Sequence, residues 1–201
     1  MNAIATLMDE HRLIEQVLGS LETLAFEVEA GRPLERPVVG DYAGFFREFA
    51  DACHHGKEED LLFARLVERG FPRESGPIGV MLHEHTIGRQ RVATLRTIAE
   101  SAGDVAAAER HLFLESSLEY IPMLRQHIQK EDRILYPMAS QVLVDGELDR
   151  LESEFEAFDR KMRDSGALDR LHATADALAT RFRPDPARMA AAADAGMCGV
   201  R

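Results

Sequence analysis

HHGKEEDLLFA (residues 54–64) and HIQKEDRILYP (residues 127–137) each place several titratable side chains directly before or within an apolar run. In both stretches a glutamate follows a histidine by four residues, and these residues are His54, Glu58, His127 and Glu131. Residues four apart on an α-helix lie on the same face, one turn above the other. Each stretch therefore predicts a helix that presents one imidazole and one carboxylate to the same side, next to apolar residues that exclude water.

A second pair of segments is also repeated, because LMDEHRLIEQV (residues 7–17) resembles MLHEHTIGRQRV (residues 81–92). Both contain the dipeptide Glu-His. The offset between their histidines, His11 and His85, is 74 residues, and the offset between the two stretches quoted above is 73 residues. A nearly constant offset indicates that the second half of this region duplicates the first, so that matching residues face a common axis.

Helical periodicity runs along most of the chain and is interrupted by segments rich in glycine and proline. It predicts six helices, over about 3–30, 41–68, 77–100, 105–139, 146–164 and 167–182. Four long helices with short connections are typical of an all-α, up-down-up-down four-helix bundle, here with a C-terminal helical extension. We expect residues 1–140 to form a metal-binding bundle, residues 141–183 to form the extension, and residues 184–201 to form a tail with no required packing position.

The chain of 201 residues is acidic, with a formal net charge of −11 and a pI of about 5.2. Nucleic acids and anionic membrane surfaces would repel such a chain, and its apolar runs are far shorter than the roughly 20 residues that span a bilayer. The first residues include acids where a signal peptide has a basic start. These features predict a cytoplasmic protein that binds neither nucleic acid nor membrane. The two cysteines form no motif, which argues against a disulfide framework.

The repeated residues define a candidate metal site of four imidazoles and two carboxylates: His11, His54, Glu58, His85, His127 and Glu131. Imidazole and carboxylate without thiolate suit iron, manganese or zinc. Two cations that share the glutamates would also offset the cost of burying both carboxylates. Neighbouring residues compete for three of these positions, although the internal repeat disfavours them. The competitors are His55 for His54, His83 for His85, and Asp132 for Glu131.

Charged residues beside the candidate ligands are predicted to face solvent. Lys57 and Lys130 occupy equivalent positions in the repeat and are expected at the surface. Glu59 and Asp132 are expected to belong to a solvated face rather than to the site. Tyr120 lies seven residues before the second repeated histidine, so it either hydrogen-bonds a ligand or belongs to the core.

These residues resemble the hemerythrin-like, HHE-type cation-binding domain family over residues 1 to about 140. The resemblance consists of the two His-x3-Glu pairs, the Leu-Phe and Leu-Tyr-Pro that follow them, and the two Glu-His dipeptides. It implies a four-helix bundle with a non-haem di-iron site bridged by oxo or carboxylate groups, in which zinc or manganese could substitute. Oxygen-carrying members have a fifth histidine four residues after the equivalent of His85, where this chain has Arg89. The chain is therefore more similar to iron–sulfur-cluster repair and iron-sensing members.

The resemblance implies a protein that binds or reacts with dioxygen, peroxide or nitric oxide during iron, oxidative or nitrosative stress. A second class of function also fits, namely an iron- or oxygen-sensing module that signals through its C-terminal helices to a protein partner or a second copy of the chain. The sequence contains no separate acid–base pair or nucleophile, so peroxide, dioxygen or ferroxidase chemistry would depend on the metals alone. Binding protein and enzyme both remain open at this point.

Overall fold

The computed structural model of the chain describes residues 2–143 and 146–195, which form seven helices and no strand. No helix among these residues is both long and apolar enough to cross a membrane. The predicted all-α fold is confirmed. The helices are α1 (Ala3–Glu29), α2 (36–68), α3 (Gly76–Glu100), α4 (107–142), α5 (Glu147–Asp164), α6 (Ala167–Arg181) and α7 (Pro186–Ala195).

Helices α2 and α4 change from α to π geometry along their length. The π segments are Phe46–His55, Glu58–Leu62 and Glu131–Leu135. In a π segment a backbone N–H bonds the carbonyl five residues earlier, as Phe63 does to Glu58 and Tyr136 does to Glu131. The same irregularity therefore occurs at equivalent positions of the two halves. Such single-turn irregularities are frequently found at functional sites.

Glycine and proline explain the limits of the first two helices. Gly31 and Gly70 follow the ends of α1 and α2 with φ angles of 108° and 94°, a conformation that glycine adopts without steric cost. Helix α2 begins at Arg36, not near residue 41 as predicted from the sequence. The earlier start is possible because Pro37 lies in the first turn, where its missing N–H has no helical partner to lose.

The four long helices alternate in direction and enclose two apolar cores, one towards each end of the bundle. Residues of one core include Leu21, Tyr42, Leu95 and Phe113. Residues of the other core include Leu7, Phe63, Met81 and Tyr136. The start of α1 thus meets the end of α2, the start of α3 and the end of α4, which is the up-down-up-down order. A polar layer lies between the two cores.

Helices α5 and α6 pack along the side of the bundle that α1 and α2 form. Leu151 and Phe155 of α5 enter one apolar core, and Phe182 at the end of α6 enters the other. Helix α5 approaches α2 closely at Gly56, where an added Cβ would lie only 2.7 Å from Phe158 Cζ. The extension is therefore packed into both cores of the bundle.

Helix α7 lies in the segment 184–201, for which the sequence indicated no required packing position. In the part of this segment that the structure describes, α7 packs against α4. The segment also contacts α1 at Gly19, where an added Cβ would lie 2.9 Å from Pro184 Cβ and 3.2 Å from Met189 Sδ. Residues 196–201 lie outside the described residues.

Candidate metal centre

A layer of buried histidine and glutamate side chains lies between the two apolar cores, with contributions from all four bundle helices. It contains all six residues proposed from the sequence, and it also contains His55. The seven side chains form two overlapping groups, and in each group one potential ligand atom per residue lies within 4.8 Å of the others. The three-imidazole group is His55, Glu58, His85 and His127. The two-imidazole group is His11, His54, Glu58 and Glu131.

The two glutamates face both groups. Glu58 belongs to each of them, and its Oε2 atom lies 3.5 Å from His85 Nε2. Glu131 Oε2 lies 3.2 Å from His127 Nε2 in one group and 3.3 Å from His11 Nε2 in the other. Carboxylates placed between two sets of imidazoles are suited to bridging a pair of cations, as in carboxylate-rich metal sites of other helix bundles.

Several donor atoms of the layer are buried and have no hydrogen-bond partner among the described residues. They are His54 Nε2, Glu58 Oε2, Glu131 Oε1 and Glu131 Oε2. A buried polar group without a partner costs on the order of 1–3 kcal/mol, and a buried unpaired charge costs more. Cations bound between these atoms would remove that cost. The donor set therefore fits the binding of metal ions.

Burial shifts the pKa values of the layer towards the neutral forms of its side chains. It lowers the pKa of His127 to about 4 and lowers the pKa of His54 well below its usual value. Burial raises the pKa of Glu58 to about 8, and burial together with the neighbouring Glu58 raises the pKa of Glu131. Neutral imidazoles keep a lone pair available for a cation. The glutamates must release protons before they bind one.

Carboxylates outside the layer orient its histidines. Glu10 accepts a hydrogen bond from His54 Nδ1 at 2.9 Å, and Glu84 accepts one from His127 Nδ1 at 3.0 Å. A proton held on Nδ1 leaves the Nε2 lone pair free and directs it towards the centre. These glutamates belong to the two Glu-His dipeptides, so the repeat visible in the sequence also encodes the orienting carboxylates.

Two further carboxylates have the same role, contrary to the expectation of a solvated face. Asp132 accepts from His11 Nδ1 at 2.7 Å, and Glu59 accepts from His85 Nδ1 at 2.7 Å. Their side chains are only 14% and 20% exposed. The two rival carboxylates at the end of α4 are thereby distinguished, since Asp132 lies behind an imidazole whereas Glu131 enters the layer.

Lys57 and Lys130 were both predicted to lie at the surface, and for Lys57 the prediction is wrong. The side chain of Lys57 is fully buried, and its Nζ atom donates to Glu10 and, at 2.8 Å, to Asp159 Oδ2 of α5. Lys130 donates to Glu84 and remains 37% exposed. The lysine–glutamate contact is therefore repeated in both halves, but among the described residues the contact with the extension occurs only in the first.

His55 reaches the layer together with His54. In a regular α-helix successive side chains point about 100° apart, so only one of two adjacent residues would face the centre. The π segment Phe46–His55 changes this spacing. The His55 ring stacks on the His85 ring with centroids 3.7 Å apart. The internal repeat disfavoured His55 because its equivalent is Ile128, and regular helix geometry offered no way to include both histidines.

Tyr136 is a polar member of the layer that its sequence pattern did not reveal. Its hydroxyl donates to Glu58 Oε1 at 2.7 Å and lies 3.4 Å from His11 Nε2. Its ring stacks on His11 with centroids 5.5 Å apart. Burial raises the pKa of Tyr136, so the phenol remains protonated and can donate a hydrogen bond. The Leu-Tyr-Pro motif marked this residue, but it indicated only an apolar seal.

Arg89 stands where the resemblance to oxygen carriers would require a fifth histidine. It binds instead Glu59, which orients His85, and Asp51, whose Oδ1 atom lies 3.4 Å from His55 Nδ1. Its Nη2 atom lies 2.7 Å from Asp51 Oδ1 and 2.7 Å from Glu59 Oε1. Next to it, a cavity of about 260 Å³ leads from the surface to His55, and Gly88 and Tyr120 are among its lining residues. This cavity approaches the layer from the side of the three-imidazole group.

The hemerythrin HHE cation-binding domain matches residues 2–139. The chain belongs to this family, as its motifs indicated, and the family's cation-binding character agrees with the buried groups of histidine and glutamate.

Among curated proteins, the chain is 33% identical over 90 residues to the iron-sulfur cluster repair protein YtfE of Musicola paradisiaca, over 43% of this chain and 40% of that protein. It is 24% identical over 152 residues to the uncharacterized protein Rv1995 of Mycobacterium tuberculosis, over 75% of this chain and 58% of that protein. The chain thus spans less than two thirds of the length of these relatives. No solved structure matches it.

Proposed function

We propose that this protein is a non-haem di-iron protein that binds or reacts with small oxidants such as dioxygen, peroxide or nitric oxide. The observation that carries the proposal is the layer of seven buried donors in two overlapping groups, in which glutamate oxygens have no hydrogen-bond partner among the described residues. The proposed ligands are His11, His54, Glu58, His85, His127 and Glu131, with His55 as a seventh.

The chemistry of the donors supports iron as the metal. Neutral imidazoles and carboxylates suit iron, while manganese and zinc are also compatible with them. The two groups contain no thiolate among their described members, whereas structural zinc sites usually draw on cysteine. Iron would supply redox chemistry with small molecules. The protein orients the imidazoles through the outer carboxylates and excludes water with an apolar core on each side.

The number of protein donors in the two groups supports binding of an external ligand. Each group has four donors, and Glu58 is common to both, so seven side chains serve two metal positions. A coordination position that no protein donor fills leaves room for a further ligand, as small-molecule chemistry on a metal requires. The Tyr136 hydroxyl lies beside the two-imidazole group, 3.4 Å from His11 Nε2, and its one proton, now donated to Glu58 Oε1, could turn to such a ligand.

A role in the response to iron, oxidative or nitrosative stress is the biological part of the proposal. It is supported by the similarity to a protein named for iron–sulfur cluster repair. The match covers less than half of either protein, so the partners and substrates of that relative are not assumed for this chain.

Iron content and the visible absorption spectrum test the proposal. We expect protein produced with added iron to contain two irons per chain and to show a charge-transfer band that azide shifts. His85→Ala should lose iron, whereas His83→Ala, which removes an exposed histidine of the same helix, should retain it. Protein without iron, or with one tightly held zinc, would contradict the proposal. Catalysed loss of peroxide from the loaded protein would then distinguish an enzyme from a binding protein.

A second candidate function is an iron- or oxygen-sensing module that signals through its C-terminal helices in the cytoplasm. One observation favours it specifically, namely the buried contact between Lys57 and Asp159, which joins α5 to the residues that orient the layer. Metal that binds only the folded and docked arrangement would stabilise that arrangement. A protein partner or a second copy of the chain would then recognise the state of the extension.

A further inference from the structure

A buried polar cluster connects the C-terminal extension to the metal layer, and it centres on Lys57. The Lys57 side chain is fully buried, and its Nζ atom donates to Glu10 and, at 2.8 Å, to Asp159 Oδ2. The other oxygen of Asp159 accepts from Cys53 Sγ at 3.1 Å. Asp159 is itself buried, at 6% exposure. A buried ammonium group needs such partners, because without them its burial would cost several kcal/mol.

The cluster is not a third metal site, although Glu10, Cys53 and Asp159 are close enough to hold an ion. The Lys57 ammonium lies between the two carboxylates and already supplies a positive charge to both. Burial also raises the pKa of Cys53, so its thiol remains protonated and donates to Asp159. The chemistry of the cluster is therefore that of an internal ion-pair network.

The network ends on a proposed ligand. Glu10 Oε1 accepts from Lys57, while Glu10 Oε2 accepts from His54 Nδ1 at 2.9 Å. A continuous series of polar contacts thus runs from Asp159 of α5 through Lys57 and Glu10 to His54 in the two-imidazole group. A carboxylate that accepts from Nδ1 sets the orientation and basicity of an imidazole. A change at Asp159 that alters Lys57 and Glu10 would therefore alter the orientation and basicity of His54 Nε2.

The second half of the bundle contains the same contacts, and there the structure, as far as it describes the chain, shows no connection to the extension. Lys130 donates to Glu84, and Glu84 accepts from His127 Nδ1 at 3.0 Å. The exposure of the Lys130 side chain is 37%, against 0% for Lys57. Within residues 146–183, the described part of the extension beyond α4, the contact with the orienting residues is therefore made at one metal position only. The other metal position serves as an internal comparison.

We infer that Asp159 is a positioning residue for the two-imidazole metal position, and that docking of α5 and metal binding at this position stabilise each other. The coupling is reciprocal by thermodynamic necessity: if docked α5 raises the metal affinity, bound metal holds α5 in place. The inference rests on the proposed binding of two metal ions. If the protein is a sensor, α5 is the element whose docking changes with metal binding. The contacts of Asp159, Lys57 and Glu10 connect this helix to the metal layer.

The test uses the full chain with Fe²⁺ under anaerobic conditions. Hydrogen exchange of residues 147–164 is measured with and without the metal, and the affinities of both metal equivalents are measured by competition with a chelator. The variants are Asp159→Asn, Lys130→Met and, as a control, Glu156→Gln, which removes one negative charge from an exposed position of the same helix.

We expect metal to slow exchange in α5 of the wild-type protein, a measurement that requires no mutation. Asp159→Asn should weaken one of the two metal equivalents about tenfold, the lower end of the range for residues that orient metal-bound histidines, and should abolish the slowing in α5. Lys130→Met should weaken the other equivalent while metal still slows exchange in α5. Glu156→Gln should resemble the wild type in both measurements.

Two results would overturn the inference while leaving the proposed metal site intact. One is wild-type protein that binds two metal ions with no change of exchange in α5. The other is Asp159→Asn protein whose two metal affinities equal those of Glu156→Gln. Wild-type protein that binds no metal at all would instead refute the proposed function. The two failures are therefore distinguishable within one set of measurements.

Discussion

Tyr136 Oη donates a 2.7 Å hydrogen bond to Glu58 Oε1, which links a residue of the second half of the bundle to a glutamate of the first. Its equivalent in the first half is Phe63, which has no hydroxyl and stacks against His85 with ring centroids 6.1 Å apart. The duplicated halves also differ at His55, which adds an imidazole to one group only. These two differences between the halves make the two metal positions unequal, and each difference can be tested by its own variant.

Tyr136→Phe is expected to weaken binding of azide to the iron-loaded protein about fivefold, the equivalent of one hydrogen bond worth about 1 kcal/mol. The physical reason is the position of the hydroxyl, 3.4 Å from His11 Nε2 in the two-imidazole group, where its proton can turn from Glu58 Oε1 to a bound azide. Iron content should not change, because the glutamates and histidines remain. Azide titration followed by the charge-transfer band measures the effect.

Tyr42→Phe is the matched control for Tyr136→Phe. The Tyr42 hydroxyl is also buried and bonds Ser20 at 2.5 Å, but it lies in the apolar core away from the layer. We expect this variant to lose thermal stability and to keep the azide affinity of the wild type. Equal azide affinities in all three proteins would show that the Tyr136 hydroxyl does not contact the external ligand.

His55→Ile makes the first half of the bundle match the second, where Ile128 is the equivalent residue. If His55 binds metal, this change should lower the affinity of one of the two metal equivalents at least tenfold, since it removes a ligand of the three-imidazole group. The other equivalent should change less. Chelator competition measures both affinities, and unchanged values would identify His55 as a packing residue that only stacks on His85.

Much of the fold and the donor set was predictable because the sequence contains the same pattern of histidine and glutamate twice. The offset of 73 residues between His54 and His127, and between Glu58 and Glu131, indicated both the duplication and the shared axis. Helical periodicity then predicted the all-α bundle. Helical periodicity and the His-x3-Glu spacing within each copy depend on residues close in sequence, for which regular helix geometry is a good guide. The repeat then relates the two copies to each other.

The remaining features depend on irregular geometry or on distant contacts. The inward position of His55 follows from the π segment Phe46–His55, which periodicity of 3.6 residues cannot reveal. The burial of Lys57 follows from Asp159, a residue 102 positions later in the chain. Gly56 offered a weak signal, since a glycine within a helix often permits the close approach of another element, but it did not identify Phe158 as the side chain that packs there.

Glu58→Gln is expected to stabilise the metal-free protein more strongly as the pH rises. Burial raises the pKa of Glu58 to about 8 in the folded protein, above the ordinary carboxyl value of 4.5. The folded state thus binds the carboxyl proton of Glu58 more tightly than the unfolded state does. The associated stabilisation is fully present below pH 4.5 and is lost as the pH rises through about 8. Glutamine retains the shape and does not ionise.

The measurement for this variant is the difference in Tm between Glu58→Gln and the wild type, taken from about pH 6 to pH 9 in the presence of a chelator. The variant and the wild type contain the same histidines, so the effect of histidine titration on Tm largely cancels in this difference. We expect the difference to increase with pH, while Glu156→Gln shows no such trend. A difference that stays constant over this range would mean that Glu58 is not held in its protonated form by burial.

Gly88→Leu is expected to slow the reaction of the loaded protein with azide without changing its metal content, if small molecules enter through the cavity that leads to His55. A Cβ at Gly88 would lie 3.5 Å from Tyr120 Cε2 and 3.7 Å from Met123 Cε, which are ordinary van der Waals contacts. Because Gly88 lines the cavity, a larger side chain at this position is expected to occupy part of it. Gly44→Leu controls for the helix substitution, since a Cβ there has no neighbour within 4 Å. Stopped-flow absorption gives the rate constants. Equal rates in both variants and the wild type would exclude this cavity as the principal route.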